Sequence, residues 1–329
     1  MINPVIPMKK ILGIGNALVD VITFLNKDDV LTQFGFPRGS MQLIDATTSR
    51  QVEDATLACE KHKASGGSAA NTIHGLAKLG VETGFIGTVG RDDTGKFFRD
   101  DMLQAGITPL LSESDTATGT SRALVSADGE RTMATFLGAA VELSAARLTP
   151  ALFRGYDHLH LEGYLVLNQS LVETALGLAS QQKMTISLDL ASYNVVEANL
   201  AFLQRIVEQN IDIVFANEEE ARAFTGFSDP YKALASISAQ CDTAVVKIGE
   251  KGSLVHQGGK TYAVAPVKVN CLDTTGAGDL YAAGFLYGFA ASLGPEKSGK
   301  IGSLLAGKVI EVPGAKISDA AWAIIRKNI

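Results

Sequence analysis

Asp273-Thr274-Thr275-Gly276-Ala277-Gly278-Asp279 stands between a strand-like run, Thr261 to Val269, and a long apolar run, Leu280 to Leu293, of helical rather than alternating character. The small residues therefore sit where a loop opens a helix. Gly276 and Gly278 lack a Cβ, so the backbone can turn sharply and approach a ligand closely. The first N–H groups of a helix have no intrahelical partner and lie at the positive end of its dipole, which makes an anion hole. Asp279 needs a reason to share that hole. Phosphoryl transfer supplies one: the carboxylate accepts the proton of an attacking hydroxyl while the N–H groups hold the transferred group. Capping or charge-complementing the helix is the alternative role for an Asp at such a position.

The composition fits that chemistry. A chain of 329 residues with 46% hydrophobic and 19% charged residues suits one large soluble α/β domain, 1–329, with a small appendage. A net charge of −6 without a basic patch argues against a nucleic-acid partner. Cys59, Cys241 and Cys271 are too few and too scattered for a disulfide framework or a zinc site, which fits a reducing cytoplasm. Lys9-Lys10 precedes an apolar run, but Asn16 and Asp20 interrupt it, so no signal peptide is expected. No segment is long and apolar enough to span a membrane.

Lys10 to Ile14 is an apolar run ending in Gly15-Asn16, a first buried strand. Gly13-x-Gly15 lacks the third glycine of a dinucleotide fingerprint, because Leu18 stands there. Asn16 and Asp20, at a strand end, are suited to hydrogen-bonding sugar hydroxyls; turn chemistry would explain them as well. From Asp20 to Asp45 the pattern reads as strands joined by turns, outside the main rhythm. A second strand-rich piece, Thr118 to Leu137, holds Asp128-Gly129 as a hairpin turn. The two pieces predict a small separate sheet that could act as a lid, with segments at roughly 17–45 and 118–138. Ser65-Gly66-Gly67-Ser68-Ala69-Ala70-Asn71 is a second glycine-rich turn into a helix, Ala69 to Leu79, with Asn71 facing a ligand from the first turn; a plain loop and cap is the alternative.

Farther on, strand-like runs (His158–Leu161, Thr185–Leu188, Ile213–Ala216, Ala244–Ile248, Ser253–His256) alternate with helical ones, predicting a mostly parallel sheet covered on both faces. Asn217-Glu218-Glu219-Glu220 opens one of those helices. Its acids complement the helix end, while Asn217 and Glu220, three apart, could meet on one face and hold a hydrated magnesium ion beside phosphates. Lys247-Ile248-Gly249-Glu250-Lys251-Gly252 ends a strand in a tight turn.

Together these pieces resemble the ribokinase-like (PfkB-type) family of carbohydrate and nucleoside kinases, along nearly the whole chain and in the family's order. The carriers are the 273–279 stretch, Gly66 to Asn71 with Gly87-Thr88-Val89-Gly90-Arg91-Asp92 behind it, and Asn217-x-x-Glu220. Within the family the chain is most similar to adenosine kinases and their bacterial relatives, through Gly15 to Asp20, Gly39-Ser40-Met41, Gly129 to Met133 and Glu162-Gly163-Tyr164-Leu165. The resemblance implies a three-layer α/β/α fold with a β-sheet lid, and transfer of the γ-phosphoryl group of ATP, with Mg2+, to a hydroxyl of a sugar or nucleoside. It implies Asp279 as general base, Gly276, Ala277 and Gly278 as anion hole, and Arg131 as a lid arginine reaching the transferred phosphate. Asn16, Asp20, Gly66, Gly67 and Asn71 would hold sugar hydroxyls; Lys247, Gly249, Gly252 and Thr275 would lie on the nucleotide side; Asn217 and Glu220 would order the metal through water. Asp189 to Val195 matches no family motif, and Gly307-Lys308 stands where small apolar residues are expected, which leaves a monovalent-cation site open. Lid edges offer a surface for homodimer pairing. A plain sugar kinase is the nearest competing reading, and a non-catalytic sensor on the same fold the competitor from another class, against which Asp279 speaks.

Overall fold

The structure, a computed structural model, describes residues 8–329. In chain order the first seven strands are β1 (Ile11–Ile14), β2 (Leu18–Phe24), β3 (Met41–Leu43), β4 (Glu60–Gly66), β5 (Thr83–Gly90), β6 (Ile107–Ser114) and β7 (Thr118–Val125). Then follow β8 (Arg131–Gly138), β9 (His158–Glu162), β10 (Thr185–Asp189), β11 (Ile213–Asn217), β12 (Thr243–Lys247), β13 (Ser253–Gln257) and β14 (Lys260–Val264).

Nine of them form one sheet in the order β14-β13-β12-β11-β10-β9-β1-β5-β6. From β12 to β6 every neighbour is parallel; β13 and β14 join antiparallel. Helices cover both faces, so these strands are apolar on both sides. The period of two shows in the cores: Val214 and Ala216 pack into one cluster, Ile213 and Phe215 into the other. The second sheet has five strands, β3-β8-β7-β2-β4. Its hairpin β7/β8 turns at Asp128-Gly129, with Gly129 at φ 90° as predicted for such a turn. This is an α/β fold with a large, mostly parallel sheet and a small second one.

Two expectations are corrected. The strand before the 273–279 loop ends at Val264, not Val269; Pro266 has no N–H to continue a ladder. The first lid piece is not strands alone, because Asp29–Phe34 is a helix closed by Gly35 at φ 62°. The lid also includes the helix Ala46–Ala55 and β4, neither of which the sequence pattern displayed. Glu60, Lys61, His62 and Lys63 make β4 polar, a frequent property of an edge strand and the reason no apolar alternation marked it.

Candidate active site

Two glycine-opened helices meet at the carboxyl ends of the parallel strands. β4 leads into Gly67, at φ 94°, and the helix Ser68–Lys78; a Cβ on Gly67 would collide with the Asn16 carbonyl, so the position admits only glycine. Gly276, at φ 75°, opens the helix Ala277–Ala290. The two helices pack closely, since a Cβ on Gly75 would lie 2.7 Å from the Ala283 methyl. At their facing ends Asp279 is held by both: Ser68 Oγ donates to its Oδ1 (2.8 Å) and Asn71 Nδ2 to its Oδ2 (3.0 Å). Thr72 Oγ1 donates to the Asp279 carbonyl at 3.1 Å. Burial pushes the Asp279 carboxyl up to about 6, partly offset by the Ser68 and Asn71 hydrogen bonds.

Asp279 opens into a cleft of ≈ 1350 Å³ that runs beneath the lid. Asp20, Gly67 and Asn71 line one part of it, and Asn217, Glu220, Lys247, Gly249, Gly252 and Thr275 to Gly278 the rest. The cleft thus gathers most of the predicted residues. Within the loop, Ala277 N–H already donates to Thr274 O (3.1 Å), whereas the amides that follow it at the open helix end, Gly278 and Asp279, have no such backbone acceptor.

Three residues take other partners than the sequence suggests. Asn16 is gripped by buried Glu162: its Nδ2 donates to Oε1 at 2.5 Å, and Ala69 N–H donates to Oε2 at 3.1 Å. Gly66 leaves room for the Asp20 carboxyl, which a Cβ there would strike. Arg131 reaches across from the lid and pairs through Nη1 with Asp273. Asp273 also accepts Gly314 N–H (2.5 Å), Thr275 N–H (3.0 Å) and Thr275 Oγ1–H (2.8 Å). In this state Arg131 ties the lid to the first residue of the 273–279 loop rather than pointing at a phosphate.

The charged groups around Asp279 perturb one another. Burial pushes Glu162 up to about 7, and raises Asp20 and Glu220 as well. Lys247 donates to Asp189 Oδ2 at 3.0 Å; burial works against its charge, but Asp189 and Glu220 outweigh that and leave it raised. Asn217 and Glu220 form a reciprocal capping box, with Asn217 N–H to Glu220 Oε2 at 2.8 Å and Glu220 N–H to Asn217 Oδ1 at 2.8 Å. Among the described residues no group of three or more His, Cys, Asp or Glu is arranged to hold a metal, and no helix is long and apolar enough to cross a membrane. Glu162, Asp189, Ser68 and Lys316 were given no site role from the sequence, although the first three lie in stretches quoted above. The first two end parallel strands, where ligands of open α/β sheets collect, and that position was the available signal.

Sheet order, lid and paired glycine-opened helices define a ribokinase-like α/β protein. Among solved structures it is similar to the adenosine kinase of Sinorhizobium meliloti (TM-score 0.87, 32% identity, covering 98% of this chain and 100% of that one). It is equally similar to a probable sugar kinase of Rhizobium etli (TM-score 0.87, 31% identity, 98% and 99% covered). An uncharacterized sugar kinase of Archaeoglobus fulgidus is 30% identical over 249 residues, 74% of this chain and 96% of that one. The chain belongs to the pfkB family of carbohydrate kinases, whose profile matches residues 39–322.

Proposed function

We propose that the protein transfers the γ-phosphoryl group of ATP to a primary hydroxyl of a nucleoside, adenosine-like in shape, with Asp279 as general base. The observation that carries this is the Asp279 carboxyl: half-buried, poised at about 6, and set beside free helix-end amides in a cleft large enough for two ligands. A base of that strength is ionised at neutral pH and close enough to it to accept a proton efficiently. Ser68 and Asn71 hold its two oxygens and orient it. Asp20 lines the same cleft and would accept hydrogen bonds from sugar hydroxyls.

Leu18 and Met133, on the lid sheet that carries Asp20 and Ser121, and Tyr164 all line the cleft and favour a flat apolar base over a bare sugar. Similarity to the Sinorhizobium adenosine kinase supports the same choice. Lys247, Gly249, Gly252 and Thr275 would hold the nucleotide. The donor set suits a magnesium ion that arrives with the phosphates and meets Glu220 and Asn217 through water, as Mg2+ keeps much of its hydration. When bound, that ion would neutralise charge on the phosphates.

The test is ADP formation with magnesium and ATP across nucleosides and free sugars. Adenosine-like nucleosides should be turned over best. Turnover confined to ribose or fructose would replace the nucleoside by a sugar, and no acceptor-dependent turnover at all would refute the kinase reading.

A further inference from the structure

A second cavity of ≈ 520 Å³ lies behind the lid sheet. Strand alternation separates it from the cleft. On β2, Asp20 faces the cleft while Val19 and Val21 line the rear cavity; on β7, Ser121 faces the cleft while Thr120 and Arg122 line the rear. The helix Ala46–Ala55 and the loops at Asp92 and Asp115 complete its walls.

Arg122 is only 4% exposed, and its Nη2 donates to Glu53 at 2.9 Å. Its Nε has no hydrogen-bond partner, and neither has Oγ1 of Thr120, which is 7% exposed. Buried donors without partners are costly, and a guanidinium carries five N–H groups in a fork suited to phosphate. The acids of the cavity are already engaged. Glu53 holds Arg122; Asp115 pairs with Arg91; Asp92 accepts Gly95 N–H (2.7 Å), Thr118 N–H (2.8 Å) and Thr118 Oγ1–H (2.6 Å). Arg50 and Lys63, by contrast, line the cavity without an ion-pair partner among the described residues.

We propose that this rear cavity is a second binding site, for a phosphomonoester, with the phosphoryl group against Arg122 and Thr120 and with Arg50 and Lys63 as its counter-charges. Two uncommitted cations match the −1.5 to −2 charge of a phosphomonoester at neutral pH better than that of a monocarboxylate. Val19, Val21 and Phe136 offer apolar contact to its carbon part. An occupant would brace the back of the sheet whose front carries Asp20. The site does not depend on what the cleft phosphorylates.

Ribose 5-phosphate is the probe, titrated calorimetrically into the whole protein and into an Arg50→Ala/Lys63→Ala variant; neither residue lines the cleft. Saturable binding that weakens at least about tenfold in the variant is expected, with an unchanged melting temperature. Amide exchange in Ala46–Ala55 should slow on binding to the wild type. Ribose alone should show no binding that the variant weakens. Equal affinity in the variant would move the site elsewhere, to the anion hole of the cleft above all, and overturn the proposal. Absence of binding, or succinate binding as tightly as ribose 5-phosphate, would overturn it too.

Discussion

Replacing Asp279 with Asn should separate activity from stability, and the structure sets the size of both effects. The substitution removes proton acceptance, which costs about 10²–10⁴ in turnover. Its effect on folding has the opposite sign. Burial raises the carboxyl from an ordinary 3.8 to about 6, so between those values the native state binds more protons than the unfolded chain. Stability from this group is therefore greatest below the unfolded value and is lost as pH rises through the folded one. Above about pH 7 the ionised group burdens the fold by up to about 3 kcal/mol, at about 1.4 kcal/mol per tenfold. Asn carries no such burden. Its amide can still pair, because Asn71 can turn its side chain and present Oδ1, which has no partner in the wild type. Urea unfolding should thus find wild type and variant alike near pH 4, with the variant more stable by about 1–3 kcal/mol near pH 8. Turnover of the wild type should rise about tenfold from pH 5 to pH 7 as the carboxyl ionises. A stability difference that does not change with pH, or a variant weaker than wild type at pH 8, would refute the assignment of Asp279 as a desolvated base that burdens the fold.

Arg131→Ala leaves Asp273 with its three other donors, so it should cost less than a wholly orphaned buried charge, about 1–3 kcal/mol, and should speed amide exchange in β7 and β8. Lower turnover with unchanged stability and lid exchange would instead put Arg131 on the transferred phosphoryl group. Glu220→Gln keeps an acceptor for Asn217 N–H but sets an amide NH2 against Asn217 Nδ2, so melting should fall modestly while the magnesium needed for half-maximal turnover rises. A lowered melting temperature with unchanged magnesium dependence would make the pair a helix cap and nothing more.

What could be read from sequence was what a short stretch determines by itself. Gly67 and Gly276 were legible because both sit at positive φ before a helix, a local constraint that leaves glycine as the only comfortable residue. The parallel sheet was legible because strands buried on both faces are short apolar runs spaced by helices. Long-range pairing was not. Arg131 and its partner Asp273 are 142 residues apart, and Lys247 and Asp189 are 58 apart, so no local pattern joins them. β4 failed for the complementary reason: its fold depends on a neighbour, β2, while its own side chains are those of a solvated edge.

The excess of acids at the site gives these pieces a common logic. Asp20, Asp189, Glu220, Asp279 and Lys247 line the inner cleft, and Glu162 and Lys316 lie behind it, close enough to Asp279 to interact with its charge. Burial raises Asp20, Glu162, Glu220 and Asp279 and lowers Lys316, so every one of those five moves toward its neutral form. A fold selected for stability alone would not assemble such a cluster, because desolvated charges in a shared site oppose one another. The cluster makes chemical sense if its partners come from solution. Hydroxyls of an acceptor would satisfy Asp20 and Asp279, and a hydrated cation travelling with phosphates would face Glu220 and Asp189. A polyanionic nucleotide alone would meet carboxylates on approach. The same nucleotide carrying its metal would meet opposite charge, so the site should prefer the metal complex to the free nucleotide and release protons as it binds.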